Sequence, residues 1–276
     1  FWGVNIQSVI GFSLIASLYV VYDLNTYVVF FGTILGTILV CFFSYLIGLP
    51  SQKFGLPFVV LLRSSLGVKG AKYFGLLRFF VGIFMFGIQT YFLSKAFSYV
   101  IRILVFNIEP LILDQEIFLI FILGLNVIDW ASIILTIILQ TFLFSSGMIL
   151  NRKIIRYSAI SVYFGIILFF LSIFLSDVKL YSSIFINALN LNDFSNKENL
   201  VPLFTVAGTV FAYFSIIILS FGDFTRYVKN SDELRKGNLS LILNLIIFSF
   251  LALFIVAGFD AILKHCLLYT SPSPRD

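Results

Sequence analysis

The chain has 276 residues, of which 60% are hydrophobic and 11% charged, and its formal net charge is +5. A soluble domain carries about 25% charged residues, and its polar surface could not cover this much apolar area, so a soluble globular fold is excluded. The basic residues sit at the ends of apolar runs rather than in a stripe, and no nucleic-acid motif accompanies them; the positive balance reads as membrane topology, with the lipid bilayer as partner and no nucleic acid.

Seven apolar runs follow along the chain, at 1–20, 26–47, 76–104, 127–150, 154–176, 200–221 and 239–263. Each is close to the ~20 residues that a helix needs to cross the bilayer core, at a rise of about 1.5 Å per residue. They lack the strict alternation of a membrane β-barrel. The fold class they predict is an all-α polytopic membrane protein, multi-pass in a plasma or bacterial inner membrane.

The connections alternate in charge. Residues 48–78 hold Lys53, Arg63, Lys69, Lys72 and Arg78, residues 151–156 hold Arg152, Lys153 and Arg156, and residues 222–238 hold Arg226, Lys229, Arg235 and Lys236. The intervening connections are poor in basic residues: 21–25 has Asp23, 105–126 has Glu109, Asp114 and Glu116, and 177–199 sets Lys179 and Lys197 against Asp177, Asp193 and Glu198. Lys and Arg concentrate on the cytoplasmic side of membrane proteins, so the three basic connections are expected inside and the first run is expected to cross outward.

The last residues, Cys266-Leu-Leu-Tyr-Thr-Ser-Pro-Ser-Pro-Arg-Asp276, resemble the translation of a sequencing adapter, so the transporter domain is expected to cover 1–265 and 266–276 to be foreign. That leaves Cys41, inside an apolar run, and no disulfide framework.

Four strings carry polar or unusual residues. In Phe1-Trp-Gly-Val-Asn-Ile-Gln7, the amides of Asn5 and Gln7 lie in an apolar run, which is costly without partners. Gly55-Leu-Pro-Phe-Val-Val-Leu-Leu-Arg-Ser-Ser-Leu-Gly-Val-Lys-Gly-Ala71 reads as an amphipathic loop with glycines for its turns. In Arg78-Phe-Phe-Val-Gly-Ile-Phe-Met-Phe-Gly-Ile-Gln-Thr-Tyr91, Met85 and Gln89 are four apart and share a helix face. A Gln in a span must find a partner, either across a helix contact or on a ligand. Six residues on, Lys95 is an ionisable group within a span: a functional candidate, or a side chain that snorkels to the outer interface. In Phe211-Ala-Tyr-Phe-Ser-Ile-Ile-Ile-Leu-Ser-Phe-Gly-Asp-Phe-Thr-Arg-Tyr227, Asp223 and Arg226 can pair at i, i+3, an exposed pair of little energy, and an aromatic such as Phe214 is by type core or lipid packing.

Together these strings resemble the nucleobase:cation symporter-1 family. The 55–71 loop is similar to that family's Gly-x-Pro-Phe…Arg-x-Ser-Phe-Gly-x-x-Gly-Ala, with Leu66 in place of Phe. The 78–91 string resembles its third span, with Met85 where a stacking Trp is usual. The 211–227 string resembles the end of its sixth span, with Ser220 in place of a common Asn, and residues 1–7 resemble the unwound part of its first. The resemblance implies a 5+5 inverted-repeat fold of the leucine-transporter type, truncated here to spans one to seven and unable to transport without the rest.

It implies further that a nucleobase or related small heterocycle is imported with Na+ or H+ by alternating access, with no other cofactor. Asn5, Gln7, Met85, Gln89 and Phe214 would contact substrate, and Asp223 and Arg226 would form an inner gate; Lys95 stands where many members have a Gly pair, and it is a candidate for ion coupling through its charge within a span. A sodium site would lie at the first-span backbone near Ile6, completed by the missing eighth span. An enzyme is disfavoured, because no nucleophile–base pair, metal cluster or phosphate loop is evident. A carrier of another small solute in the same superfamily is the alternative; a channel lacks its filter sequence or ring of charges.

Overall fold

A computed structural model describes residues 6, 8–108, 121–176, 178–189 and 199–270. Regular structure among the described residues is helical, and pairing of β type is confined to one bridge between Ile122 and Leu125. The helices are α1 (Val9–Ala16, continued as a π-helical turn over Ser17–Val21), α2 (Thr26–Phe54), α3 (Phe58–Leu61), α4 (Arg63–Ile108), α5 (Val127–Ser145), α6 (Met148–Ser176), α7 (Val178–Ala188), α8 (Leu200–Thr225) and α9 (Ser231–Thr270). Six of them, α2, α4, α5, α6, α8 and α9, are long and apolar enough to cross a membrane.

Of the run expected at 1–20, residues 6 and 8–20 are described, and they hold part of a shorter apolar helix over Ile10–Val21. One correction to the sequence reading follows. Three connections expected as loops are largely helical: α2 runs on to Phe54 and α4 begins at Arg63, residues 151–156 lie inside α6, and within 222–238 α8 runs to Thr225 and α9 begins at Ser231; α7 also occupies Val178–Ala188 of 177–199. Hydropathy marks only the lipid-crossing part of a helix. Lys, Arg and Gln are good helix formers, so a helix continues past the bilayer until a backbone signal stops it. At the end of α2 that signal is Gly55, with φ 66°, a left-handed C-cap that glycine adopts without a Cβ clash. Between α5 and α6 it is Gly147, with φ 86°.

The chain divides into two compact units, residues 1–65 with 156–276, and residues 66–155. The first is built on α2 and α8. On α2 the residues Gly32, Gly36, Val40, Ser44 and Gly48 recur every four positions and are buried. They form one ridge, and its small members let a neighbouring backbone approach closely. On α8, Val206, Val210, Phe214, Ile218 and Phe221 face the core. A Cβ at Gly32 would lie 2.7 Å from that of Val206, one at Gly36 would lie 2.8 Å from the Ala207 carbonyl oxygen, and one at Gly48 would lie 2.7 Å from the Phe221 ring. Real side chains do not fit there, so this helix pair depends on glycine.

Helix α9 adds Leu241, Leu245, Phe248 and Leu253 to the same core. Asp232 and Glu233 in its first turn complement the positive end of its dipole. A satellite cluster joins α7 to α9, where the Tyr181 hydroxyl donates to the Phe254 carbonyl at 2.6 Å and packs beside Phe170 and Phe174. Tyr163 of α6 hydrogen-bonds Asn244 of α9.

The second unit contains α4 from Leu66 onward and α5. Gly67, with φ 69° and ψ 176°, breaks the first turn of α4. Helix α5 starts in a capping box: the Asn126 side chain accepts the Asp129 N–H, and the Asp129 carboxylate accepts the Asn126 N–H. A tight turn before it, with Leu123 at φ 56° and Gly124 at φ 76°, is held by the Trp130 indole donating to the Ile122 carbonyl at 3.2 Å.

Candidate functional site

Within the second unit, α4 stacks Met85 and Gln89 one turn apart, as the spacing predicts. Met85 is half-buried and Gln89 exposed, with no hydrogen-bond partner for its amide among the described residues. Its neighbour Thr90 is engaged: the hydroxyl meets the Gln140 side-chain amide of α5 at 3.2 Å. Thr90 and Gln140 thus supply a polar tie between helices, and Gln89 is left open.

Lys95 is not a lone cation. Its Nζ lies 3.0 Å from Asp129 Oδ2, and the carboxylate is a hub. Ser98 donates to Asp129 Oδ1 at 2.6 Å, the Arg102 guanidinium lies 3.6 Å from the same oxygen, and Arg102 Nε reaches Ser98 Oγ at 3.4 Å. The Asp129 side chain is 7% exposed, those of Lys95 and Arg102 28% and 38%. Two partly exposed cations therefore share one buried carboxylate, which the capping box also fixes to the start of α5. Lys95, Ser98 and Arg102 line up at i, i+3, i+7 on α4, so one helix face carries all three donors.

In the first unit, Phe214 is buried in the core of α8, and its neighbour Tyr213 holds the start of α1. The Tyr213 hydroxyl is 2.7 Å from Ser8 Oγ, which also accepts the Gly11 N–H as the N-cap of α1. Ile6, just before, is fully buried. Asn5 and Gln7 lie outside the described residues.

At the end of α8, Asp223 Oδ1 accepts the backbone N–H of Phe58 at 3.1 Å. Arg226 sits over the Tyr227 ring at 4.6 Å and donates to its hydroxyl. Asp223, the expected partner of Arg226, thus reaches back to the loop string at 55–71. Gln52 Nε2 approaches the carbonyls of Val228 and Lys229 at 3.4 and 3.3 Å. Two of the strings singled out in the sequence therefore touch.

Met85, Gln89 and Lys95 belong to the second unit and Phe214, Asp223 and Arg226 to the first. A cavity of about 330 Å³ in the first unit is lined by apolar side chains, Phe12, Phe169 and Phe259 among them, together with Asp260, and by none of the expected substrate residues. Among the described residues no group of three His, Cys, Asp or Glu could hold a metal ion.

Residues 1–272 match the model of a family described as permeases for cytosine/purines, uracil, thiamine and allantoin. The chain belongs to this family. The permease family accounts for the six apolar helices of spanning length among the described residues, and the protein is a multi-pass integral membrane protein. Its relatives are carriers, not enzymes. Over 91 residues, a third of the chain (33%), it is 31% identical to a protein of Escherichia coli (strain K12) that bears the provisional name of allantoin permease. Over 63 residues, 23% of the chain, it is 43% identical to the allantoin permease of Bacillus subtilis (strain 168). These stretches cover 19% and 12% of those two permeases. No solved structure matches the chain.

Against the permease reading, the sequence missed Asp129, Ser98 and Arg102 as the surroundings of Lys95, and Phe58 as the partner of Asp223. One cue was present: Lys95 and Asp129 are opposite charges in consecutive apolar runs.

Proposed function

We propose that this permease is a secondary active transporter that imports a nucleobase or related heterocycle with Na+ or H+ by alternating access, on a 5+5 inverted-repeat fold of which this chain holds the first repeat and two helices of the second. The observation that carries this is the family match over residues 1–272. Two features support the site. Gln89 presents an amide with no hydrogen-bond partner among the described residues, which can both donate to and accept from a ring amide, one turn from the soft, polarizable Met85. The half-buried Ser8–Tyr213 contact fixes the start of α1 beside Phe214, next to the segment in which Asn5 and Gln7 would meet substrate.

Asp223 and Arg226 would close the inner side. A broken first helix would offer carbonyls near Ile6 to sodium, in the manner of discontinuous transporter helices. Both curated relatives carry allantoin in their names, so allantoin heads the substrate list.

The test is uptake of radiolabelled allantoin, uracil, cytosine and hydantoin by cells expressing the complete protein. Saturable accumulation of one of them, abolished when ion gradients collapse and with the solute recovered unchanged, is the expected result. Uptake that never saturates, or a hydrolysed product inside the cell, overturns it.

A further inference from the structure

The turn between α2 and α4 is short of hydrogen-bond acceptors. Helix α3 is one turn long and follows Pro57, which has no side-chain group to cap it. The Val60 and Leu61 N–H groups bond the Pro57 carbonyl, which leaves the Phe58 N–H outside that pattern. Asp223, 165 positions later on α8, accepts it at 3.1 Å. The surroundings make the contact firm. Gly222 is buried so tightly that a Cβ there would lie 2.7 Å from Ser51 Oγ and 3.4 Å from Phe58 Cβ. The Phe58 side chain is itself buried, and Gln52 bridges from the last turns of α2 to the carbonyls beyond α8.

We propose that Asp223 is a positioning residue whose work is to accept the Phe58 amide, so that the 55–62 turn is held to the end of α8 and moves with it. What it supplies is a hydrogen-bond acceptor at a fixed place. The 55–62 turn depends on that oxygen, whatever else the carboxylate meets. The inference rests on the transport reading for its consequence and on geometry for its mechanism.

Asn and Asp side chains have the same shape, and each offers an oxygen at the Oδ1 position, whereas Ala offers none. In the complete protein, Asp223→Ala, which removes the acceptor, should lower uptake of the transported probe at least about tenfold. A second readout needs no substrate: hydrogen–deuterium exchange of the 57–62 peptide in detergent-purified protein. The Phe58 amide should exchange slowly in the parent and in Asp223→Asn, and at least about tenfold faster in Asp223→Ala. Unchanged exchange in Asp223→Ala overturns the proposal, and so does an Asp223→Asn variant whose Phe58 amide exchanges as fast as in Asp223→Ala. If the parent carries no tested heterocycle, the transport reading fails, while the exchange experiment still decides whether Asp223 holds the turn.

Discussion

Lys95 and Asp129, 34 positions apart, form an ion pair at 3.0 Å between α4 and α5. An ionisable side chain in a span invites a functional reading. Here the cation has a carboxylate, and the carboxylate has further partners in Ser98, Arg102 and the Asn126 backbone.

That asymmetry predicts an ordering. Removing Lys95 leaves Asp129 with Ser98, Arg102 and its capping role. Removing Asp129 leaves two cations facing each other and opens the capping box of α5. Breaking a buried pair from the hub side costs about 3–5 kcal/mol, whereas the partly exposed Lys95 contributes less because water screens it. Asp129→Ala should therefore destabilise the protein by roughly 3 kcal/mol or more, and Lys95→Ala by about 1–2 kcal/mol. Denaturant unfolding in detergent reads both; Lys95→Ala costing more than Asp129→Ala would refute the hub.

The glycine ridge on α2 makes a second prediction. A methyl at Gly36 meets the Ala207 carbonyl oxygen at 2.8 Å, and a backbone atom cannot swing aside. Gly36→Ala should cost about 1–3 kcal/mol by overpacking, outweighing the ~1 kcal/mol that Ala gains over Gly in a helix. Gly208, on α8, has nothing within 4 Å of its would-be Cβ, so Gly208→Ala should be neutral or stabilising. Thermal unfolding of the two variants side by side checks this. Equal melting temperatures would mean that α2 and α8 do not pack this closely.

Some of this was legible in the sequence and some was not, for physical reasons. Apolar runs report burial in lipid, so α2, α4, α5, α6, α8 and α9 were foreseen by position. Helix ends were not, because hydropathy does not register where a polar helix stops; Gly55 and Gly147 do that through backbone conformation. Met85 and Gln89 share a face because local periodicity dictates it. The bonds of Asp223 to Phe58 and of Lys95 to Asp129 join residues far apart in sequence, and no local pattern encodes which carboxylate meets which donor.

Gln89 gives the third prediction. Its amide is open in the second unit, so a ligand that engages it gains a hydrogen bond without breaking another. Gln89→Ala should weaken substrate binding by roughly 1–3 kcal/mol, the cost of leaving a buried polar ring atom unpaired. Scintillation proximity binding of the transported heterocycle reads it. Wild-type affinity at normal expression would remove Gln89 from the site.

Topology can be read with single cysteines, and the structure refines where to put them. Ser51 is fully buried against α8 and would resist labelling from either side. Asn230 and Lys153 are exposed in basic connections, and Tyr22 is 68% exposed in an acidic one. A cysteine at Asn230 or Lys153 should react with a membrane-impermeant maleimide only after the cytoplasmic face is opened, and one at Tyr22 in intact cells. Labelling of Tyr22 and Asn230 from the same side would sink the alternation.

The coupling ion is the last prediction. A proton carrier usually needs an ionisable relay group within the membrane. The acidic residues of the described spans lie towards the span ends: Asp129 is locked at the start of α5, Asp223 lies in the last turn of α8 on the Phe58 amide, and Asp260 lies near the end of the apolar stretch of α9. Lys95 is tied to Asp129 at 3.0 Å. Carbonyls of a broken helix, by contrast, hold sodium without any carboxylate. Uptake by the complete protein should therefore rise with external sodium at fixed pH and survive a protonophore while the sodium gradient is clamped. If sodium replacement changes nothing and the protonophore abolishes uptake, protons drive the carrier. Lys95→Ala then becomes the informative variant: loss of uptake at normal expression would assign Lys95 to the coupling step, and unchanged uptake would remove it.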